Sequence, residues 1–229
     1  MNGRGVVSDG RGLFVGDTGT TIIDNFEESP DGPYSSGGPL SDFYDGDTGD
    51  YHRDTSAVVE GSFALYSEDT SGAWRNIISQ PGSGLPTYPG PGDWIGFLGR
   101  PLSGDNHSMF IVCGGTDGTG YAVRWNTSDF GFRKWTDRRT TITLGSDNSL
   151  GLNGETWYWF EMLFPDSSGQ LEADVYQLNT SPLSRGSQID SISHNVVNSG
   201  DDEYLSQEGV GMGEDGNQAG NIIDWARVL

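Results

Sequence analysis

Trp159, Tyr176, Arg100 and Arg124 are the side chains in this sequence best suited to holding a sugar. A pyranose offers an apolar face to an aromatic ring, while its hydroxyls need charged or amide groups at the rim. Glu172 and Asp174 add a second chemistry. On a strand, residues two apart point the same way, and retaining cleavage of a glycosidic bond needs two carboxyl groups about 5 Å apart. Other groups offer less. His52, His107 and His194 fall in or beside loop-like segments and read as solvated polar residues. Cys113, the single cysteine, lies in the apolar run 109–113 and reads as a buried, inert thiol, so no disulfide or zinc-finger spacing exists. No glycine-rich phosphate loop with a following lysine occurs. Asp45, Asp47 and Asp50 alternate like the oxygen donors of a calcium loop, and Asp24 and Asp224 fall on strands expected to be neighbours. A structural calcium is therefore a candidate, though no cofactor is required and no metal ligands are assigned.

Strands must aim these side chains. Helical periodicity is nearly absent, and short runs of Val, Ile, Phe, Tyr, Trp and Thr alternate with Gly, Asp, Ser and Asn turns. The pattern predicts strands near residues 21–27, 57–67, 74–79, 93–102, 108–113, 121–126, 130–136, 140–144, 156–164, 171–178, 187–193, 209–213 and 222–228. In the 171–178 strand, Leu171, Ala173 and Val175 face one way and Glu172, Asp174 and Tyr176 the other. The 156–164 strand is apolar on both faces, with Trp159 outward. Residues 1–20 form a Gly-rich arm, 29–51 a long Gly/Pro/Asp loop, and 81–92 a segment whose four prolines bar it from a central strand. The expected division is an irregular N-terminal arm over residues 1–20 and one all-β domain over 21–229.

Charge narrows the setting. Asp and Glu number 33 against 12 Lys and Arg, a net charge of −21, and Lys134 is the only lysine. Self-repulsion at that charge destabilises a compact state in dilute buffer, whereas at 1 M salt the Debye length is about 3 Å and the repulsion is screened. The composition reads as adaptation to a hypersaline medium. Nucleic acid is excluded as a partner because no basic stripe exists to neutralise phosphates. No run approaches the roughly 18 apolar residues of a membrane span, so membrane insertion is not expected.

Several segments together resemble the concanavalin A-like lectin/glucanase jelly roll in its laminin-G-like form. They are Ile22-Ile23-Asp24-Asn25-Phe26-Glu27, Val59-Glu60-Gly61-Ser62-Phe63-Ala64-Leu65, Ile95-Gly96-Phe97-Leu98-Gly99-Arg100, Thr156-Trp157-Tyr158-Trp159-Phe160-Glu161-Met162, Leu171-Glu172-Ala173-Asp174-Val175-Tyr176 and Ile222-Ile223-Asp224-Trp225-Ala226-Arg227-Val228. The resemblance implies a two-sheet antiparallel jelly-roll sandwich with first and last strands adjacent. Laminarinase-type members carry E-x-D-x-x-E on one strand. Here Glu172, Asp174 and Gln177 give E-x-D-x-x-Q, and an amide can neither attack nor protonate a leaving group.

On these grounds the protein is expected not to be an enzyme. A chain beginning at Met1 with no apolar leader region or twin-arginine pair is expected to stay in the cell until lysis. Together with the Gly-rich arm, this gives the expectation of a virion structural protein of a haloarchaeal tailed virus, placed on the particle surface as a turret, decoration or tail-associated subunit. Its expected partners are its own copies, other virion proteins and host cell-surface glycans. A carbohydrate-active enzyme, or its binding module, is the alternative.

Overall fold

The computed structural model describes residues 21–28, 30, 32–35, 38–68, 72–102, 106–215 and 219–229; the expected arm lies outside them. Fifteen strands make up the described chain. The first five are β1 (Thr21–Asp24), β2 (Asp45–Gly46), β3 (Tyr51–Asp54), β4 (Ala64–Ser67) and β5 (Arg75–Ser79). Then come β6 (Trp94–Gly99), β7 (His107–Gly114), β8 (Gly120–Trp125), β9 (Asp129–Asp137) and β10 (Thr140–Ser149). The last are β11 (Tyr158–Leu163), β12 (Gln170–Thr180), β13 (Leu183–Asn195), β14 (Gly209–Asp215) and β15 (Gly220–Val228). A single helical turn, α1 (Val196–Ser199), follows β13.

The strands form two antiparallel sheets. The first runs β13-β12-β11-β6-β15-β4-β3, with β1 also paired to β15, and the second runs β10-β9-β8-β7-β14-β5-β2. The expected two-sheet sandwich is therefore present, and first and last strands are neighbours through Thr21↔Val228 and Ile22↔Arg227.

Aromatic rings from both sheets meet in the core. Phe97 of β6 stacks on Phe110 of β7 at 4.7 Å and on Phe160 of β11 at 5.4 Å, and Trp125 of β8 lies 4.7 Å from Phe160. Gly99 makes room for them: a Cβ there would sit 2.7 Å from the Phe160 ring and 2.8 Å from Trp125. Neither ring can give way without disturbing the stack. Gly99→Ala is expected to cost about 1–3 kcal/mol, the usual range for an overpacked core, read as a lower urea midpoint at unchanged slope.

Two expectations need correction. The 29–51 loop contains β2 and leads straight into β3, a strand too short and polar to be seen in the pattern; only its Tyr51 enters the core. The expected 57–67 strand begins only at Ala64. Residues 57–63 leave the sheet because their amides bond to carboxylates instead of to a strand. Asp224 accepts from the Val59 and Glu60 amides, and Glu27 accepts from those of Ser62 and Phe63. Ala57 and Gly61 take φ of 49° and 77°, which no strand can hold.

Candidate functional site

On β11, Tyr158, Phe160 and Met162 point into the core, so Trp159 and Glu161 stand on the outer face of the first sheet. On β12, Leu171, Ala173 and Val175 are core and Asp174 and Tyr176 face outward, as the alternation required. Strand register then pairs Trp159 with Tyr176 and Glu161 with Asp174. Two aromatic rings and two carboxylates thus meet across one pair of strands.

Directly opposed like charges destabilise a sheet unless something offsets them. Arg185 of β13 does so, donating from Nη1 to both Glu161 oxygens at 2.7 and 2.8 Å. The Trp159 indole N–H donates to Glu161 Oε1 at 3.0 Å. Asp174 accepts from the Gln188 amide at 2.9 Å and from the Tyr176 hydroxyl at 3.2 Å. The Arg185 guanidinium also lies 5.2 Å over the Tyr176 ring. Burial, with the charges of Glu161 and Asp174, pushes the Tyr176 hydroxyl up to about 12, so at neutral pH it is a donor. The Glu161 side chain is 7% exposed and that of Arg185 54%: the carboxylate is the floor of the group and the guanidinium its rim. Trp225, from a bulge in β15 between Ile223 and Ala226, sets its ring edge-to-face with Trp159 at 5.0 Å.

The four residues expected to bind sugar do not form one site. Only Trp159 and Tyr176 are neighbours. Arg100 directly follows β6 and is tied back to Glu155, through the carbonyl at 3.1 Å and the carboxylate at 3.5 Å. Arg124 lies on β8, on the outer face of the second sheet, with the core between it and Trp159. There Arg124 and Arg133 share Asp147, each with an Nη2 2.7 Å from its Oδ2. Asp147 is delivered by a register shift in β10 between Leu144 and Asn148 and sits over Gly131, where a Cβ would strike it.

The histidines lie on strands rather than loops: His52 on β3, His194 on β13, and His107 at the start of β7, 2.7 Å from Asp215 and 3.6 Å from Asp129. Two of the three aspartates in the acidic loop are held in ion pairs, Asp47 with Arg139 at 2.7 Å and Asp50 with Arg75 at 2.9 Å. Asp24 sits across from Ala226 rather than Asp224, and its oxygens take the Phe26 amide and the Tyr34 and Tyr44 hydroxyls. Among the described residues, no three His, Cys, Asp or Glu are grouped to hold a metal ion. Cys113 is buried, which raises its thiol to about 12.

No protein-family model and no curated protein matches the chain. Among solved structures, beta-agarase A in complex with oligoagarose aligns over 91% of this chain and 92% of its own, at 10% identity and a TM-score of 0.51. The fold is the concanavalin A-like sandwich. Weaker likenesses are the carbohydrate-binding module CBM66 from Bacillus subtilis, over 78% of this chain and 91% of its own at 12% identity and TM-score 0.43, and alginate lyase A1-II', over 79% and 80% at 13% and 0.40.

The agarase likeness corrects the expectation of a protein that is not an enzyme, because the same sandwich serves an enzyme there. Gln177 does not decide the matter either. A second carboxylate need not lie along the same strand: the group opposite Asp174 is Glu161, on the neighbouring strand. Glu161, Arg185 and Gln188 went unseen as site residues. Only the Trp159-x-Glu161 spacing, two outward positions in a row, signalled one of them.

Proposed function

We propose that this sandwich recognises a polysaccharide on the outer face of its first sheet. Trp159 and Tyr176 stack on sugar rings, and Glu161, Asp174, Arg185 and Gln188 take the hydroxyls. The observation that carries the reading is the cross-strand pairing of Trp159 with Tyr176 directly beside that of Glu161 with Asp174. It sets aromatic faces next to paired acceptors and donors, the composition sugar sites require. The particle-surface role inferred from composition gains no support from the fold likeness and forms no part of the reading.

Affinity electrophoresis against agarose, alginate and neutral β-glucans, in dilute and molar salt, tests the proposal. Each gel is also assayed for released reducing ends, since the two opposed carboxyl groups lie within the face. Burying an aromatic ring contributes about 1.5–3 kcal/mol, so Trp159→Ala is expected to weaken binding roughly tenfold or more. Arg124→Ala, on the opposite face, should leave the affinity of the folded protein unchanged. Retardation by no glycan, or retardation indifferent to Trp159→Ala, would overturn the proposal.

A further inference from the structure

Residues 55–63 join β3 to β4, neighbours at the edge of the first sheet, yet they do not turn back at that edge. They reach inward over the outer face. The Ala57 carbonyl accepts from the Trp157 indole at 2.9 Å, just ahead of β11. The Val59 and Glu60 amides donate to Asp224 Oδ2 at 2.5 and 3.1 Å. Arg227 Nη2 bonds both Glu60 oxygens at 2.9 and 2.8 Å while its guanidinium lies 4.4 Å over the Trp225 ring. In the sheet order, β15 and β6 lie between β4 and β11, and the segment bonds to Asp224 and Arg227 of β15 and to the Trp157 side chain ahead of β11. It is a strap. Under the guanidinium that Glu60 of the strap holds in place, Trp225 is 1% exposed, although it stands on an outer face and touches Trp159.

We infer that the strap gates the sugar face: closed, it leaves Trp159 and Tyr176 as the stacking rings, and lifted, it adds Trp225 as a third. This rests on the proposed site for its ligand, a longer glycan chain, but not for its motion. The latch is Asp224, which has no exposed surface and whose Oδ1 meets no hydrogen-bond donor. Two further carboxylates face it, Glu60 from the strap and Glu27 from the segment after β1, and Arg227 pairs with Glu60. A buried carboxylate with an unpartnered oxygen and two like charges beside it gains water when the strap lifts. Burial, opposed by the two amides, raises Asp224 to about 7. The closed strap therefore holds the proton, and losing it as pH rises through neutrality favours the open state.

Hydrogen exchange at the Val59 and Glu60 amides reads the gate without any ligand. After correction for intrinsic rates, protection of these two amides is expected to fall tenfold or more between pH 6 and pH 8.5, while the Phe160 amide stays protected. Asp224→Asn, nearly isosteric and neutral, should hold protection constant over that range. Equal loss in Asp224→Asn and wild type, or no loss in wild type, would overturn the gate. Binding then tests the third ring. A hexasaccharide of whichever glycan is retarded should gain on its disaccharide at pH 8.5 but not at pH 6, and Trp225→Leu should erase the gain. A gain untouched by Trp225→Leu overturns the role of that ring. Retardation by no glycan while exchange follows the expected course overturns the proposed function and leaves the gate standing.

Discussion

Asp147→Ala is expected to destabilise the protein by about 3–5 kcal/mol, the cost of leaving buried charge without its partner. Arg133 and Arg124 keep only 5% and 10% of their side-chain surface exposed, and Asp147 bonds both at 2.7 Å, with Asp129 lying 4.0 Å from Arg124. Removing Asp147 leaves two guanidinium groups facing each other with little water to separate them. The carboxylate is equally committed: hydrogen bonding to Arg133, aided by the charges of Arg124 and Arg133 and opposed by burial, holds Asp147 below the usual aspartate range. A lowered folded-state pKa means that its stabilisation is complete above the unfolded value and lost as pH falls through the folded one. Urea unfolding at pH 7 measures the effect. The control is the same substitution in an Arg124→Met, Arg133→Met background, where the guanidinium charges are gone and the cost should shrink to a fraction. A wild-type-like midpoint for Asp147→Ala would show that solvent, not Asp147, compensates the arginines.

That cluster marks where the sequence could be read and where it could not. Arg124 alternates with core residues Tyr121, Val123 and Trp125 and so turns away from the core, because period-two patterning encodes which face a side chain takes. It does not encode which sheet the strand joins. Arg124 therefore looked like a companion of Trp159 and proved to lie on the opposite side of the sandwich. The pairing of Trp159 with Tyr176 was legible as two outward aromatics, but their contact depends on register between β11 and β12. Glu161 was hidden for the same reason. The failure at residues 57–63 is of another kind. Val58 and Val59 are good strand residues, yet carboxylates from Asp224 and Glu27, remote in sequence, outcompete a strand for the local amides. Local propensity yields to tertiary hydrogen bonding there. Asp24 and Asp224 stood out as acids on adjoining strands that could share an ion, yet strand register sets Asp24 across from Ala226. What satisfies Asp24 is two tyrosine hydroxyls and an amide, none of them visible as a motif.

Those two aspartates give the protein an uncommon pH profile: its stability is expected to fall as pH rises from about 4 to 8. Burial raises Asp24 to about 6, against the pull of the Tyr44 and Tyr34 hydroxyls and the Phe26 amide, and raises Asp224 to about 7. Between the ordinary aspartate value near 3.8 and these raised values, the folded chain binds protons that the unfolded chain has released. Stability there must decline with pH, by on the order of 3–4 kcal/mol for each group over its whole window. Above pH 7 the contribution is gone and the curve flattens. Asp147 works in the opposite sense, but only at lower pH, so the two trends meet in a maximum on the acid side of neutrality. Surface repulsion at a net charge of −21 also weakens the fold as carboxylates ionise, yet molar salt screens it and leaves buried groups little affected. Urea unfolding across pH 4–8 in 2 M KCl therefore isolates the buried pair. Asp24→Asn and Asp224→Asn should each remove part of the slope, and together most of it. The variants should gain on wild type at pH 8 and not at pH 4, because the amides remain neutral where the carboxylates ionise. A double variant that kept the full slope in 2 M KCl would assign it to the remaining carboxylates and overturn the role given to Asp24 and Asp224.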